Sequence, residues 1–181
     1  MSCLNWTCYK VDCACPLLSK NEPLKWVNQC RYLGVYFVSG HSFICSFDQS
    51  KKQYFKALNS IFSKVGRLAS EEVVVSLLRG KCLPVLLYGV EACPVLVRDK
   101  QSLEFTISRS LMKLFRTGSA NVIIDCQKQF QCLPVSYLID IRTTKFLEKF
   151  TSSENLICSF LPNRSQKTYK NILIKSSPVS S

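Results

Sequence analysis

The sequence predicts an α+β fold, in which a short N-terminal antiparallel β-hairpin or sheet precedes a mainly α-helical bundle. Residues 1–45 hold short β-prone runs separated by turn residues. From Asp48 onward, apolar residues recur with a period of about 3.6. The chain has 181 residues, of which 47% are apolar, which is enough for a globular domain with a moderate core.

The N-terminal part is expected to form strands. Ser2–Tyr9 can form one short strand. The apolar runs Leu24–Val27 and Arg31–Val38 fit an antiparallel hairpin, with Asn28-Gln29 between them. Phe43–Phe47 then leads into the helical region.

Asp48 is placed to cap the first helix, which is expected to run to about Val65 and to stop at Gly66. Its apolar positions are three to four residues apart, as one buried face of a helix requires. These positions are Tyr54/Phe55, Leu58, Ile61/Phe62 and Val65.

Four further helices are expected after the first one. Ser70 can cap the second helix, which is expected to kink near Pro84 because proline lacks the N–H that the helix needs. Asp99 is expected to cap a third helix that ends at Gly118, with Leu103, Ile107, Leu111, Leu114 and Phe115 facing inward. A short helix over about residues 121–130 follows. Pro134 then opens the last helix, which contains Tyr137, Leu138, Ile141, Lys145, Phe146 and Phe150.

Three regions follow from this pattern. Residues 1–46 form the strand-rich part, residues 47–151 form the helical domain, and residues 152–181 form a Ser-, Asn- and Lys-rich tail that is expected to be flexible.

Charge points to an anionic partner. Lys and Arg outnumber Asp and Glu by 24 to 12, which gives a net charge of +12. Nucleic acid is the first candidate and an acidic membrane surface the second. The alternative is an ordinary solvated basic surface. The strongest basic segment is the first long helix and its end, with Lys51, Lys52, Lys56, Lys64 and Arg67.

Eleven cysteines raise the question of disulfides, but the number is odd and Met1–Lys10 lacks the apolar run of a secretion signal. We therefore expect reduced, mostly buried thiols in an intracellular protein. The apolar stretch Leu83–Val90 is too short to span a bilayer, so no membrane partner is expected.

Catalytic and metal sites are not expected. Glu71 and Glu72 are the only adjacent carboxylates, and neighbours on a helix point about 100° apart, so they suit a helix N-terminus better than a metal. His41 and Cys45 could form a dyad. They could also bind zinc with Cys30 and with Cys13 or Cys15 as a fourth ligand, but the close C-x2-C pairing of structural zinc sites is absent. We interpret His41 as a turn histidine.

Two phrases resemble a known family. "LKWVNQCRYLGVYF" is similar to the primer-grip hairpin that ends the palm of non-LTR (LINE-like) retrotransposon reverse transcriptases, and the segment from "CSFDQSKKQYF" to "LPVLLYGVEACPV" is similar to their thumb. The resemblance covers roughly residues 1–150. It implies a grip turn at Leu33-Gly34. Together with the basic helix, it predicts these nucleic-acid-binding residues: Lys25, Trp26, Arg31, Tyr32, Leu33, Gly34, Lys51, Lys52, Lys56, Lys64 and Arg67.

The resemblance also implies what the chain lacks. Fingers and the palm's aspartate strands are missing, and no aromatic-x-Asp-Asp stretch occurs. The chain is therefore expected to be a truncated copy without enzymatic activity or a cofactor, whereas a complete polymerase would use Mg. Its expected partner is a template–primer duplex, either RNA or an RNA–DNA hybrid. The alternative is a non-catalytic helical module that binds another protein, or the missing palm and fingers, through an exposed apolar hairpin.

Overall fold

The fold is α+β, with a three-stranded antiparallel sheet before a series of helices, in agreement with the sequence-based prediction. The structure is a computed structural model that describes residues 2–4, 25–40, 42–65, 69–155 and 158. The strands are β1 (Ser2–Leu4), β2 (Lys25–Val27), β3 (Gln29–Tyr32), β4 (Val35–Val38) and β5 (Ile44–Ser46).

The three-stranded sheet has the order β3-β4-β5, and its tight hairpin joins β3 to β4. Tyr32 pairs with Val35, so Leu33 and Gly34 are the two central residues of the turn. Their φ angles are 47° and 83°, and positive φ at both central residues is the signature of a type I′ turn, which matches the twist of the flanking strands.

The hairpin predicted from propensity alone was wrong in its pairing. Leu24–Val27 was expected to pair with Arg31–Val38, whereas β2 pairs in parallel with β1. The run Arg31–Val38 is not one strand, because the Leu33-Gly34 turn divides it. Phe43–Phe47 was expected to be a connection, but its centre is β5, paired with β4.

The first helix, α1 (Asp48–Val65), has the predicted bounds. Tyr54 and Leu58 of its predicted apolar face are buried, and Phe55 is partly exposed. The predicted stop at Gly66 lies outside the described residues.

The predicted kink before Pro84 takes the form of a π-helical turn. Helix α2 (Glu71–Leu77) continues into the π-turn Leu78–Cys82 and then into α3 (Leu83–Leu86) and a 3₁₀ turn, Val90–Ala92. Since Pro84 has no N–H, the carbonyl of residue 80 cannot receive its usual hydrogen bond, and widening the preceding turn accommodates the proline.

The stretch Glu71–Ala92 has 22 residues and is apolar enough to cross a membrane by length and composition alone. The core helix of a globular protein has the same properties. Val74, Leu78, Cys82 and Leu86 of this stretch are buried within the protein, in the cluster that the other helices share.

Helix α4 (Val97–Phe115) begins and ends differently from the prediction. Asp99 is not the cap but lies in the first turn, where its carboxylate accepts a hydrogen bond from the Leu96 N–H at 3.1 Å. The helix ends before Gly118, because Arg116 adopts the left-handed conformation, with φ of 50°, that terminates it.

Helices α5 (Ala120–Gln129) and α6 (Val135–Thr151) complete the described fold. Two contacts fix α6 to α4: the Val135 N–H donates to Glu104 Oε2 at 2.7 Å, and Lys100 Nζ lies 3.0 Å from Asp140 Oδ1. Most of the predicted tail lies outside the described residues. The buried cluster joins the sheet to the helices through these residues: Cys45, Phe47, Leu58, Leu86, Leu103, Leu111, Ile123 and Val135.

Candidate nucleic-acid interface

The segment around Leu33-Gly34 and the segment around Tyr88-Gly89, which both carry the resemblance, are in contact. The Tyr88 hydroxyl donates a hydrogen bond to the Leu33 carbonyl oxygen at 3.1 Å, which ties α3's C-terminal side to the β3–β4 turn. A Cβ added at Gly34 would lie 2.9 Å from Tyr88 Cε1, and one at Gly89 would lie 2.7 Å from Val35 Cγ2. Both glycines also have positive φ. Glycine is therefore required at both positions by backbone conformation and by close packing.

A cleft of about 650 Å³ lies beside this contact, between the hairpin, the first turns of α1 and α3. Its single cation among the described residues is Arg31, whose guanidinium carbon lies 5.8 Å from the centre of the Tyr36 ring. The cleft is lined by Arg31, Leu33, Gly34, Tyr36, Gln49, Ser50, Gln53, Pro84, Val85 and Tyr88. Amides, hydroxyls, aromatic rings and a guanidinium are groups that can bind sugars, phosphates and bases.

The α1 lysines divide into two sets. Lys52 and Lys56 are exposed on the side of α1 that carries Gln49 and Gln53, since these four positions fall within about 100° of one another around the helix. They therefore lie next to the cleft. Lys64 is exposed on the same side, further along the helix.

Lys51 has a different environment. Its Nζ lies 2.8 Å from Asp48 Oδ1 and donates to the Ser102 hydroxyl at 3.0 Å, so it joins the start of α1 to α4. The hydrogen bond from Lys51 and its positive charge lower the pKa of Asp48. Lys51 is not brought to the cleft with Lys52 and Lys56.

The remaining predicted residues lie in three places. Tyr32 and Leu33 are strongly exposed at the hairpin tip, at 63% and 74%. Lys25 and Trp26 belong to β2, paired with β1. Arg67 lies outside the described residues.

Seven cleft residues were not predicted as site residues: Tyr36, Gln49, Ser50, Gln53, Pro84, Val85 and Tyr88. Tyr88 stands inside the quoted phrase "LPVLLYGVEA", and its neighbour Gly89 marked a special backbone position. Gln49 and Gln53 are one helical turn apart and next to the predicted lysines, a spacing from which the polar face of α1 could have been drawn more widely.

The proposed alternatives for chemistry can be located in part. Among the residues that the structure describes, no three His, Cys, Asp or Glu side chains come together as metal ligands would. Cys45 is buried and Cys30 is half-buried, both as free thiols, while His41 lies outside the described residues. Burial raises the pKa of the Cys45 thiol, and a hydrogen bond with Cys93 opposes that effect only in part. A thiol of raised pKa is a poor nucleophile at neutral pH.

No protein-family model, curated protein or solved structure matches this chain.

Proposed function

We propose that this chain is a primer-grip and thumb region of a non-LTR retrotransposon reverse transcriptase, and that it holds a polynucleotide end without catalysing its extension. The observation that carries the proposal is the contact between the Leu33-Gly34 turn and Tyr88. Leu33 and Tyr88 belong to the two segments chosen for their likeness to the grip and the thumb. They are 55 residues apart in the sequence, and both line one cleft.

The cleft's chemistry supports a strand end as its occupant. Arg31 can pair with a phosphate, and Tyr36 and Tyr88 offer ring surfaces to a base or sugar. Because Gly34 has no side chain, the Tyr88 ring packs directly against the turn, and ring and turn together line the cleft. Lys52 and Lys56 continue the positive charge along α1, where the flanking duplex would lie.

The test is fluorescence anisotropy with a labelled RNA–DNA hybrid that has a recessed primer 3′ end, measured from 50 to 200 mM salt. We expect the dissociation constant to rise steeply with salt, since each phosphate contact releases counterions. Arg31→Gln should weaken binding to the recessed hybrid more than binding to a blunt hybrid of equal length. A dissociation constant that does not change with salt would contradict the proposal.

A charge-matched comparison separates the α1 lysines from general positive charge. Lys52→Gln with Lys56→Gln should lower the slope of log K against log salt by about 1.8, from two lost contacts at roughly 0.9 each. Lys145→Gln with Lys149→Gln removes the same charge from exposed positions on α6 and should leave the slope nearly unchanged. Primer extension that depends on added Mg²⁺ would refute the non-catalytic part of the proposal.

A second candidate is favoured by the exposed apolar tip of the hairpin. Leu33, Tyr32 and Tyr88 expose more than half of their surface side by side. Such a patch can bind another protein, including a palm and fingers supplied by another chain. Size-exclusion chromatography with light scattering distinguishes the two: self-association that Leu33→Asn abolishes supports the protein-binding module, and a monomer at all concentrations counts against it.

A further inference from the structure

We infer that α1 and α4 together form a second polynucleotide surface, which takes single-stranded RNA or DNA. This surface, named here the α1–α4 face, consists of Phe55, Phe62, Phe105, Arg109, Lys113 and Arg116. It is separate from the cleft. The inference extends the proposed function, because the strand that leaves the cleft would run along this face.

The two helices form one continuous surface because polar contacts close the seam between them. Lys113 Nζ reaches across from α4 to donate to Asn59 Oδ1 at 3.0 Å, and it lies 5.1 Å from the centre of the Phe62 ring. Lys51 and Ser102 join the helices nearer their N-termini. Lys51 precedes Asn59 on α1, and their partners Ser102 and Lys113 follow each other in the same order on α4. The two helices therefore run in the same general direction.

Two cations of this face lie against aromatic rings, Arg109 against Phe105 and Lys113 against the half-buried Phe62. Phe105, Arg109 and Lys113 are spaced by four residues and all three are exposed, with Phe105 at 62%. The Arg109 guanidinium carbon lies 5.8 Å from the centre of the Phe105 ring. An exposed phenylalanine beside an arginine offers a base one surface to stack on and offers the neighbouring phosphate a cation.

Carboxylates of both helices are directed elsewhere. Within the described bounds of α1 and α4 there are three, and each has a partner: Asp48 is paired with Lys51, Asp99 accepts from the Leu96 N–H, and Glu104 accepts from the Val135 N–H. The charge of the α1–α4 face is therefore positive and complementary to a phosphate backbone.

Single strands suit the face better than duplexes. In a duplex the bases stack on one another, so exposed phenylalanine rings have no base to contact, whereas unpaired bases can be splayed onto them. Residues 105 to 113 span roughly 12 Å of helix, so a short single strand can contact the ring and both cations together. An anionic membrane would also attract the cations, but here Arg109 and Lys113 lie against the rings of Phe105 and Phe62, an arrangement that suits a base and its phosphate.

The test uses the full chain and a labelled 12-nucleotide oligo(U). Phe105→Ala should weaken oligo(U) binding by roughly tenfold. Phe146→Ala, a partly exposed phenylalanine on α6, is the matched control and should have little effect. Arg109→Gln with Arg116→Gln should lower the salt slope by about 1.4, whereas Lys145→Gln with Lys149→Gln should not. Circular dichroism confirms that each variant is folded. As a second measurement, photocrosslinking of 4-thiouridine oligo(U) to the unmodified chain should label peptides of α1 and α4.

The outcomes separate this inference from the proposed function. If Phe105→Ala leaves oligo(U) binding unchanged and crosslinks fall elsewhere, the inference is overturned, even if Arg31→Gln weakens binding of the recessed hybrid. If Phe105→Ala acts and Arg31→Gln does not, the face stands and the cleft proposal fails. If Phe105→Ala abolishes binding to phosphatidylserine vesicles but leaves oligo(U) binding intact, the face is a membrane contact and the inference is overturned.

Discussion

At the scale of single residues, the turn between β3 and β4 is held in an unusual conformation. Leu33 has φ of 47°, a region that non-glycine residues adopt at a cost of about 1–2 kcal/mol. Its side chain is mostly exposed, so little burial offsets this cost. The Tyr88 hydroxyl bonds to the Leu33 carbonyl and holds the turn in place.

Replacing Leu33 by asparagine should therefore stabilise the protein by about 1 kcal/mol, because Asn-Gly is the preferred central pair of a type I′ turn. Urea denaturation measures the change in the free energy of unfolding. Leu133→Asn, at another half-exposed leucine without positive φ, should give no such gain. A loss of stability at position 33 would show that Leu33 makes contacts that outweigh its backbone strain.

Tyr54 gives a pH-dependent prediction. Burial raises the pKa of Tyr54 to about 12 from an ordinary value of 10, against a smaller opposing effect of a hydrogen bond with Ser110. Because the folded state holds this proton more tightly than the unfolded state, the contribution to stability is complete below pH 10 and is lost as the pH rises toward 12.

Between pH 10 and 11 the wild-type protein should lose about 1 kcal/mol more stability than Tyr54→Phe, because the unfolded chain binds on average about 0.7 fewer protons at this site than the folded chain over that interval. Chemical denaturation at half-unit pH steps tests this difference. Parallel stability curves for the two proteins would show that the Tyr54 hydroxyl ionises as easily in the folded state as in the unfolded one.

At the scale of elements, the sequence predicts the bounds and buried face of a helix well when its apolar residues all lie on one face. The bounds of α1 follow from Asp48 and from the regular spacing of Tyr54 and Leu58. The buried face of the last helix is harder to predict. Its buried residues are Val135, Ile139 and Leu147, whereas Tyr137 and Phe146, two of the apolar residues noted in the sequence, are exposed. Apolar residues lie all around α6, so periodicity alone does not say which side is buried.

Strand pairing could not be predicted for a related reason. The phrase "RYLGVYF" has the composition of one strand, and only the positive φ angles of Leu33 and Gly34 divide it. The likeness to a primer-grip hairpin did place a turn there, because it used the order of residues rather than their propensities. The Tyr88 side of the cleft depends on a contact between residues 55 positions apart, which no local pattern contains.

The start of α6 depends on a carboxylate from another helix. Glu104 accepts the first N–H of α6, where a negative charge also interacts favourably with the helix dipole. Glu104→Ala should therefore cost about 1–2 kcal/mol, because it leaves a partly buried donor without a partner.

Asp125→Ala is the control for that substitution. Asp125 pairs with Lys128 only on the surface, at 3.6 Å, so its removal should change stability by less than about 0.5 kcal/mol. Equal effects of the two substitutions in thermal or urea unfolding would show that the Glu104 contact does not stabilise the α4–α6 packing.

At the scale of the whole molecule, the sheet and the helices share one buried cluster. Cys45 of β5 and Phe47, which follows it, belong to the same cluster as Leu103 of α4, and Val35 and Phe37 of β4 pack against it. The boundary predicted between residues 46 and 47 therefore runs through the core. A strand layer that depends on the helices for its burial should not unfold independently.

Leu103→Ala tests this dependence, because Leu103 is fully buried and its truncation should cost about 2–5 kcal/mol. Native-state hydrogen exchange should show the slowest amides of β4 and of α4 losing the same amount of protection, since both would exchange through one global opening. Leu133→Ala, at a half-exposed position, should shift neither set. If α4 loses protection while β4 keeps its own, the hairpin has stability that the helical core does not supply, and the sheet and the helices would then unfold as separate units.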